Sequence, residues 1–374
     1  MVSTTALSDH QSTSNPAATS AMEPHRAASA TIHAMQFGIG FLGDSSSHDV
    51  LDWARDLERH EHLDRLWVAD EQFLRDPWMQ LGAIAVVTSR VSIGICVTDP
   101  YIRHPALTAA AAATLQELSS GRAILGLGAG STGFDALGLE PRTPARAVSE
   151  CIELCRKLWT EPSPFSYQGE QVRFHDDKLD FKPPSSIPIY VAARGPRMLA
   201  AAARHADAVL VGSFAQGRGL DYALKAIRRA ESERDAGLPP LRRAAWIYVS
   251  VSEDARAAQR GAGRGLALAL RSSHALLKEI GYEIPAEVLD FVLASKHTLS
   301  DDEVDWVVAR VPGELVSDLT VAGSVQECAA RLRSLSDQGI DEVAVLPFAP
   351  TGGGVREMVE TLLTEVAPLV ERGA

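Results

Sequence analysis

The stretch RVSIGICVTDPYIRHPALTAAAAATLQELSSGRAILGLGAG, Arg90 to Gly130, holds one complete turn of the pattern that decides the fold. Arg90 to Val97 is a short apolar run rich in β-branched residues and reads as a strand. Pro105 to Ser119 is alanine-rich, opens on a proline whose missing N–H costs nothing at a helix start, and is closed by Gly121. Arg122 to Gly130 is a second apolar run, so the unit is strand, helix, strand, which brings the two strands together in parallel. Between the first strand and its helix stand Thr98, Asp99, Pro100, Tyr101, Arg103 and His104. So much polarity in one short connection is either a turn whose side chains cap the helix or part of a binding site.

The same alternation recurs on both sides of this unit. Gln36 to Leu42 and Asp64 to Asp70 read as the preceding strands, with helices predicted over Val50 to His60 and Trp78 to Thr88. Downstream, a helix over Arg142 to Trp159 leads to strands at Ile187 to Ala193, Ala206 to Gly212, Ala244 to Val251 and Asp341 to Phe348. Eight such strands with helices between them predict an α/β fold, a TIM (β/α)8 barrel, over residues 35–374. Two segments break the rhythm. Phe165 to Phe181 alternates with period two around Gly169 and reads as a β-hairpin excursion before strand five, and 261–319 reads as a mostly helical insertion after strand seven, where it would cap the mouth of the barrel. Met1 to Ala34 is rich in Ser, Thr, Ala and Pro and is expected to be a disordered tail with no secretory pattern.

Composition narrows the function. An apolar content of 46% supplies a large core, and no apolar run approaches the roughly 18 residues of a membrane span. A net charge of -12 without clustered Lys and Arg argues against nucleic acid and for small-molecule partners. Cys96, Cys151, Cys155 and Cys328 lie in apolar or helical patterns without zinc spacing, as expected of reduced residues in a cytoplasmic protein, and no metal site is expected.

Barrel sites form at the carboxyl ends of the strands, so the candidates can be read in order. Strand two ends in Asp70 and Glu71, and strand three in Cys96, Val97, Thr98 and Asp99. Strand four contributes Gly128, Gly130 and Ser131, strand five Ala193, Arg194, Gly195 and Pro196, and strand six Gly212 and Ser213. GLGAGS lacks the acidic partner of a dinucleotide fingerprint, so its glycines are read as room for a flat ring near the backbone. Gly195 and Pro196 open a helix directly after strand five with Arg194 and Arg197 at its positive end, which is either a phosphate site or an ordinary helix start with surface arginines. Glu71 is either a proton-handling group raised by burial or a solvated loop carboxylate.

The run from Thr98 to Pro141, followed in order by SYQGEQVRF (166–174), PIYVAARGPRMLAAAARHADAVLVG (188–212) and VAGSVQECAARLRSLSDQGIDEVAVLP (321–347), resembles the bacterial-luciferase-like flavin and deazaflavin oxidoreductases. Within them it is similar to the methylenetetrahydromethanopterin reductase-like branch that uses coenzyme F420. The resemblance implies a coenzyme, F420 or alternatively FMN, at the strand ends, with a bulge at Cys96-Val97, often a non-prolyl cis peptide, behind the ring and Thr98 and Asp99 beside it. It places the phosphate end at Ala193, Arg194, Gly195 and Pro196 next to Gly212 and Ser213, and Gly128, Gly130 and Ser131 along the ring or its side chain. The activity implied is hydride transfer to a polarised C=C, C=N or C=O of a small or peptide-borne metabolite, with Asp70, Glu71 and His104 as candidates for proton transfer or substrate orientation. An FMN-dependent monooxygenase and a non-catalytic flavin-binding barrel are the alternatives. A homodimer through helices two and three is also implied, with the alanine-rich face at Ala109 to Ala113 suited to the contact. In two places the chain departs from the branch: Gly40 stands where the methanopterin reductases carry an acid, and strand two ends in Asp70-Glu71 where the family often has Asp-His.

Overall fold

The computed structural model describes residues 35–71, 73–130, 133–295 and 298–371; the expected tail, Met1 to Ala34, lies outside them, as does Ser131. In chain order the strands are β1 (Gln36–Phe41), β2 (Arg65–Val68), β3 (Ser92–Thr98), β4 (Ala123–Leu127), β5 (Phe165–Gln168), β6 (Arg173–Asp177), β7 (Ile189–Ala193), β8 (Ala208–Gly212), β9 (Arg242–Val251), β10 (Thr320–Gly323) and β11 (Glu342–Pro347). Eight of these close a parallel barrel in the order β1-β2-β3-β4-β7-β8-β9-β11, with β11 returning to β1. The antiparallel β5-β6 hairpin stands apart, where the alternation around Gly169 places it. The expected TIM barrel and its eight strands are therefore present.

The helices are α1 (Ser47–Leu57), α2 (Pro77–Val87), α3 (Pro105–Leu118), the short α4 (Phe134–Leu137), α5 (Pro144–Thr160), α6 (Pro196–His205), α7 (Gly217–Glu231), α8 (Ala255–Ile280), α9 (Ala286–Ala294), α10 (Asp301–Val308), α11 (Gly313–Leu319), α12 (Val325–Asp337), α13 (Val355–Thr361) and α14 (Ala367–Glu371). No helix among the described residues is long and apolar enough to cross a membrane. The main core lies between strands and helices, and a second cluster fills the barrel with Trp67, Cys96, Ile124, Tyr190 and Leu210, Trp246 packing against it. Such large rings fit because β1 turns glycines inward. A Cβ on Gly38 would lie 2.6 Å from Trp67 Nε1, and one on Gly40 would lie 2.8 Å from Cη2 of Trp246. The position where the resemblance led an acid to be expected is thus occupied by the edge of an indole.

The lower end of the barrel, at the strand amino termini, is closed by a charged network. Glu342 is fully buried, accepts the Tyr190 hydroxyl at 3.0 Å and lies 3.3 Å from Nε of buried Arg65. Arg65 also donates to Gln36 at 3.0 Å. Burial pushes the Glu342 carboxyl up, against the opposing pull of Arg65, Arg242 and Tyr190.

The insertion differs from expectation in two respects. It begins at Ala255, and it ends in a strand: β10 pairs in parallel with the upper half of β9, Thr320 opposite Tyr248 through Gly323 opposite Val251. Its long first helix, α8, crosses the upper rim. A Cβ on Gly265 would stand 2.5 Å from Tyr248 Cβ, Gly261 sits equally close to Ser250 and Ala349, and further along the helix Ser272 and Ser273 meet Arg194. Small residues four apart on one helix face allow this close seating.

Candidate active site

The β3 strand carries its polar end into the mouth through a break in register. Pairing with β4 is regular at Ile95–Leu125 and resumes at Thr98–Leu127, so an extra residue bulges between them, and the Cys96-Val97 peptide is cis. Two glycines of β4 and its loop receive this bulge. The backbone carbonyl of Ile95 stands where a Gly126 side chain would be, and Val97 Cγ2 would lie 2.5 Å from a Cβ on Gly128. At Gly126 and Gly128 the space a side chain would take is therefore filled by the chain's own bulge, so the absence of a Cβ there serves the backbone's close approach.

Beyond it, Thr98 and Asp99 are buried. Asp99 Oδ1 accepts the N–H groups of Tyr101 (2.8 Å) and Ile102 (3.0 Å), while Oδ2 would lie 2.9 Å from a Cβ on Gly130. Burial raises the Asp99 carboxyl, and those two N–H groups oppose the shift. Across the strand end, half-buried Asp70 is also raised, first by burial; the Thr98 hydroxyl pulls it down, Asp99 and Asp76 push it up, and Arg103 opposes them. Two carboxylates with elevated proton affinity thus share one rim, a common arrangement where a proton is held for transfer. Glu71 is half-buried in the following turn, its carbonyl accepting from Leu74 N–H at 2.8 Å.

His104 is placed differently from expectation. Its Nδ1 accepts the Ala106 N–H at 3.1 Å as the cap of α3, and its Nε2 meets the Arg173 carbonyl of β6 at 2.9 Å. A ring that accepts at one nitrogen donates from the other, so both are committed to backbone and neither is available to a reacting group. His104 ties the hairpin to the barrel. Within the polar β3 loop, then, Asp99 is buried at the strand end and holds the turn through Tyr101 and Ile102, while His104 caps the helix.

On the opposite side, Ala193 and Arg194 lead into α6, whose amino terminus has Gly195 as its cap residue and no side-chain cap bond. Nothing lies within 4 Å of the position a Gly195 side chain would take, and no side chain caps the first turn of the helix. Gly212 and Ser213 adjoin this opening. Ser213, at φ 64°, donates to Tyr248 at 3.1 Å, and the Arg194 side chain lies over Gly212 to reach Ser272 (2.9 Å) and Ser273 (2.8 Å). Arg197 instead leaves the mouth for the outer wall between α5 and α6. The contact from α8 was missing from the sequence reading; the small-residue spacing at Gly261 and Gly265 was the available signal.

Comparison with known proteins gives a consistent picture. Residues 25–342 match the sequence model of the family described as luciferase-like monooxygenase. The chain is 29% identical over 351 residues to 5,10-methylenetetrahydromethanopterin reductase of Archaeoglobus fulgidus, covering 89% of this chain and 99% of the relative. It is 31% identical over 312 residues to the phthiodiolone/phenolphthiodiolone dimycocerosates ketoreductase of Mycobacterium tuberculosis, covering 77% and 78%. The solved structure of the coenzyme F420 dependent tetrahydromethanopterin reductase of Methanopyrus kandleri superposes with a TM-score of 0.75 at 25% identity, over 90% of this chain and 99% of the other.

Proposed function

The chain belongs to the luciferase-like monooxygenase family, and we propose that within it this protein is a coenzyme F420-dependent oxidoreductase that reduces a polarised C=C, C=N or C=O of a small or peptide-borne metabolite. The observation that carries this reading is the pairing of two features on one rim: an uncapped α6 amino terminus with an open Gly195 face, suited to a phosphate, and the β3 bulge across from it, suited to the back of a flat ring. The relatives support the choice of coenzyme, since the similar solved structure from Methanopyrus kandleri is of a coenzyme F420 dependent reductase, and they support reduction, since the similar sequences are of a methylenetetrahydromethanopterin reductase and a ketoreductase.

Bound coenzyme supplies the hydride. The chain supplies the rest: a hydride on one atom of the double bond and a proton on the other together reduce the acceptor by two electrons, and Asp70, its proton affinity raised by burial, is the proton source. Thr98 orients it, Asp99 and Arg103 tune it, and α8 over the rim keeps water from the reacting face. Gly40 offers no proton and Trp246 fills its place, which supports an acceptor other than methanopterin.

A homodimer belongs to the same reading. The alanine face expected to serve it is used internally: Ala109, Ala112 and Ala113 are buried, and Ala109 O accepts the Trp159 indole N–H at 3.0 Å. The apolar surface left outside on α2 and α3 is instead Met79 (76% exposed), Val86 (69%) and Leu107 (58%), large for isolated surface residues and matched to self-association.

The test is separate titration with F420 and with FMN, followed by addition of unsaturated, imine and ketone acceptors to the reduced complex. Tight F420 binding with reoxidation by an acceptor is the expected result. Preference for FMN would put oxygen chemistry in its place, and binding without reoxidation by any acceptor would leave a carrier.

A further inference from the structure

The side chains inside this barrel lie in layers, each drawn from alternate strands. Trp67, Ile124, Leu210 and Ala344 come from β2, β4, β8 and β11 and are buried. The strands between them, β1, β3, β7 and β9, contribute Gly40, Val97, Ala192 and Trp246. Val97, Ala192 and Trp246 pack on the interior cluster yet stay only half-buried, and because the lower end of the barrel is closed by Glu342 and Arg65, what they expose is the floor of the mouth. That floor carries no charge. In the closed order of strands β3 and β9 are four apart in either direction, so Val97 and Trp246 stand on opposite sides of it. From β9 the indole reaches past β11 to β1, where a Cβ on Gly40 would lie 2.8 Å from its Cη2, so glycine on β1 is what gives it room. Two residues further along β9, on the same side of the strand, Tyr248 meets Phe348 edge to face with ring centres 5.8 Å apart.

We propose that Trp246 selects the acceptor, and that the acceptor is flat, conjugated and uncharged where it enters the mouth, such as an aryl ketone or an enone held between the indole and the coenzyme ring. The assignment rests on the F420 reading above, which sets that ring against the β3 bulge, and narrows its acceptor by shape. With the ring backed by Val97, its free side looks across the floor toward Trp246, so an acceptor in reach of the hydride is bounded by a π system on both sides. A flat π system meets an indole favourably whether offset-stacked or edge to face, whereas a puckered saturated ring is thicker and gains neither contact. An acceptor with a charge at this end would give up its hydration to an apolar floor that offers no partner.

The experiment saturates the protein with oxidised F420 and titrates it calorimetrically with benzamide and with cyclohexanecarboxamide, two unreactive carbonyl compounds that differ in having a flat or a puckered ring. The parent is expected to bind benzamide about five- to tenfold more tightly. Trp246→Leu should abolish that preference and Trp246→Phe should keep most of it. Gly40→Ala, whose methyl group forces the indole from its place, should shrink it from the other side. Equal affinity for the two amides, binding of neither, or a preference that survives Trp246→Leu would overturn the slot. If F420 itself does not bind, the coenzyme reading fails instead, and the coenzyme-free protein then judges the indole alone: a benzamide preference lost in Trp246→Leu retains it as the acceptor wall, and equal or absent binding removes it.

Discussion

The two ends of this barrel both bury carboxylates, and they treat them in opposite ways. At the lower end Glu342 has Arg65, Tyr190 and Arg242 around it, contributed by three different strands. At the upper end Asp70 and Asp99 face each other across a strand end, held only by Thr98, two backbone N–H groups and the nearby Arg103. At the lower end the buried carboxylate lies against guanidinium and hydroxyl groups; at the upper end, among the described residues, neither Asp70 nor buried Asp99 has an ion pair. The lesson is that burial of charge does not mark a site by itself. What sets the upper end apart is that its two raised carboxyls have no ion-pair partner among the described residues, whereas Glu342 has Arg65 and Arg242.

That contrast can be broken most forcefully from below. Glu342→Ala strands Arg65 without its partner and is expected to lower unfolding free energy by about 3–5 kcal/mol, read by denaturant titration, while the remaining folded protein keeps its coenzyme affinity. Gly195→Asp should do the reverse, leaving stability intact because its Cβ meets nothing, and weakening coenzyme binding by about a hundredfold or more through a carboxylate at the phosphate opening. Undiminished binding there would end the phosphate assignment.

Smaller effects sharpen the upper end. Asp70→Asn is expected to reduce kcat about a hundredfold, the usual scale for a lost general acid. In the parent, the rate should fall as pH rises through the elevated Asp70 value, because the acid acts only when protonated. Stability moves with it: a carboxyl raised by folding contributes fully below its ordinary range and loses that contribution as pH climbs through the raised value, so Asp70→Asn should flatten the decline. The smallest change expected is His104→Ala, which removes a helix cap and a tie to the hairpin at about 1 kcal/mol and leaves kcat unchanged; a large loss of kcat would return His104 to the chemistry.

Much of the barrel was legible because its strands are buried on both faces and therefore read as continuous apolar runs, as in Ala123–Leu127 and Ala208–Gly212. Thr320–Gly323 was not, since four residues joined directly to a helix carry no period. The site divided along the same line. Local signals, such as Gly195 before Pro196 or Asp70 at a strand end, led to positions that the structure gathers at the carboxyl ends of the strands. Roles that depend on distant partners did not: the commitment of both His104 nitrogens needs β6, the filling of Gly128 needs Val97, and the Arg65–Glu342 pair joins opposite ends of the chain.

The pairing of β10 with β9 has a consequence for how the molecule opens. The upper residues of β9, Tyr248 to Val251, run beyond the end of β8, yet β10 takes up their free edge and β11 pairs with β9 as far as Val249. Amide protons there should exchange as slowly as those in the middle of the barrel. The covering segment therefore closes into the same cooperative unit as the wall it covers, and α8 rides over the mouth anchored at its origin by the sheet itself.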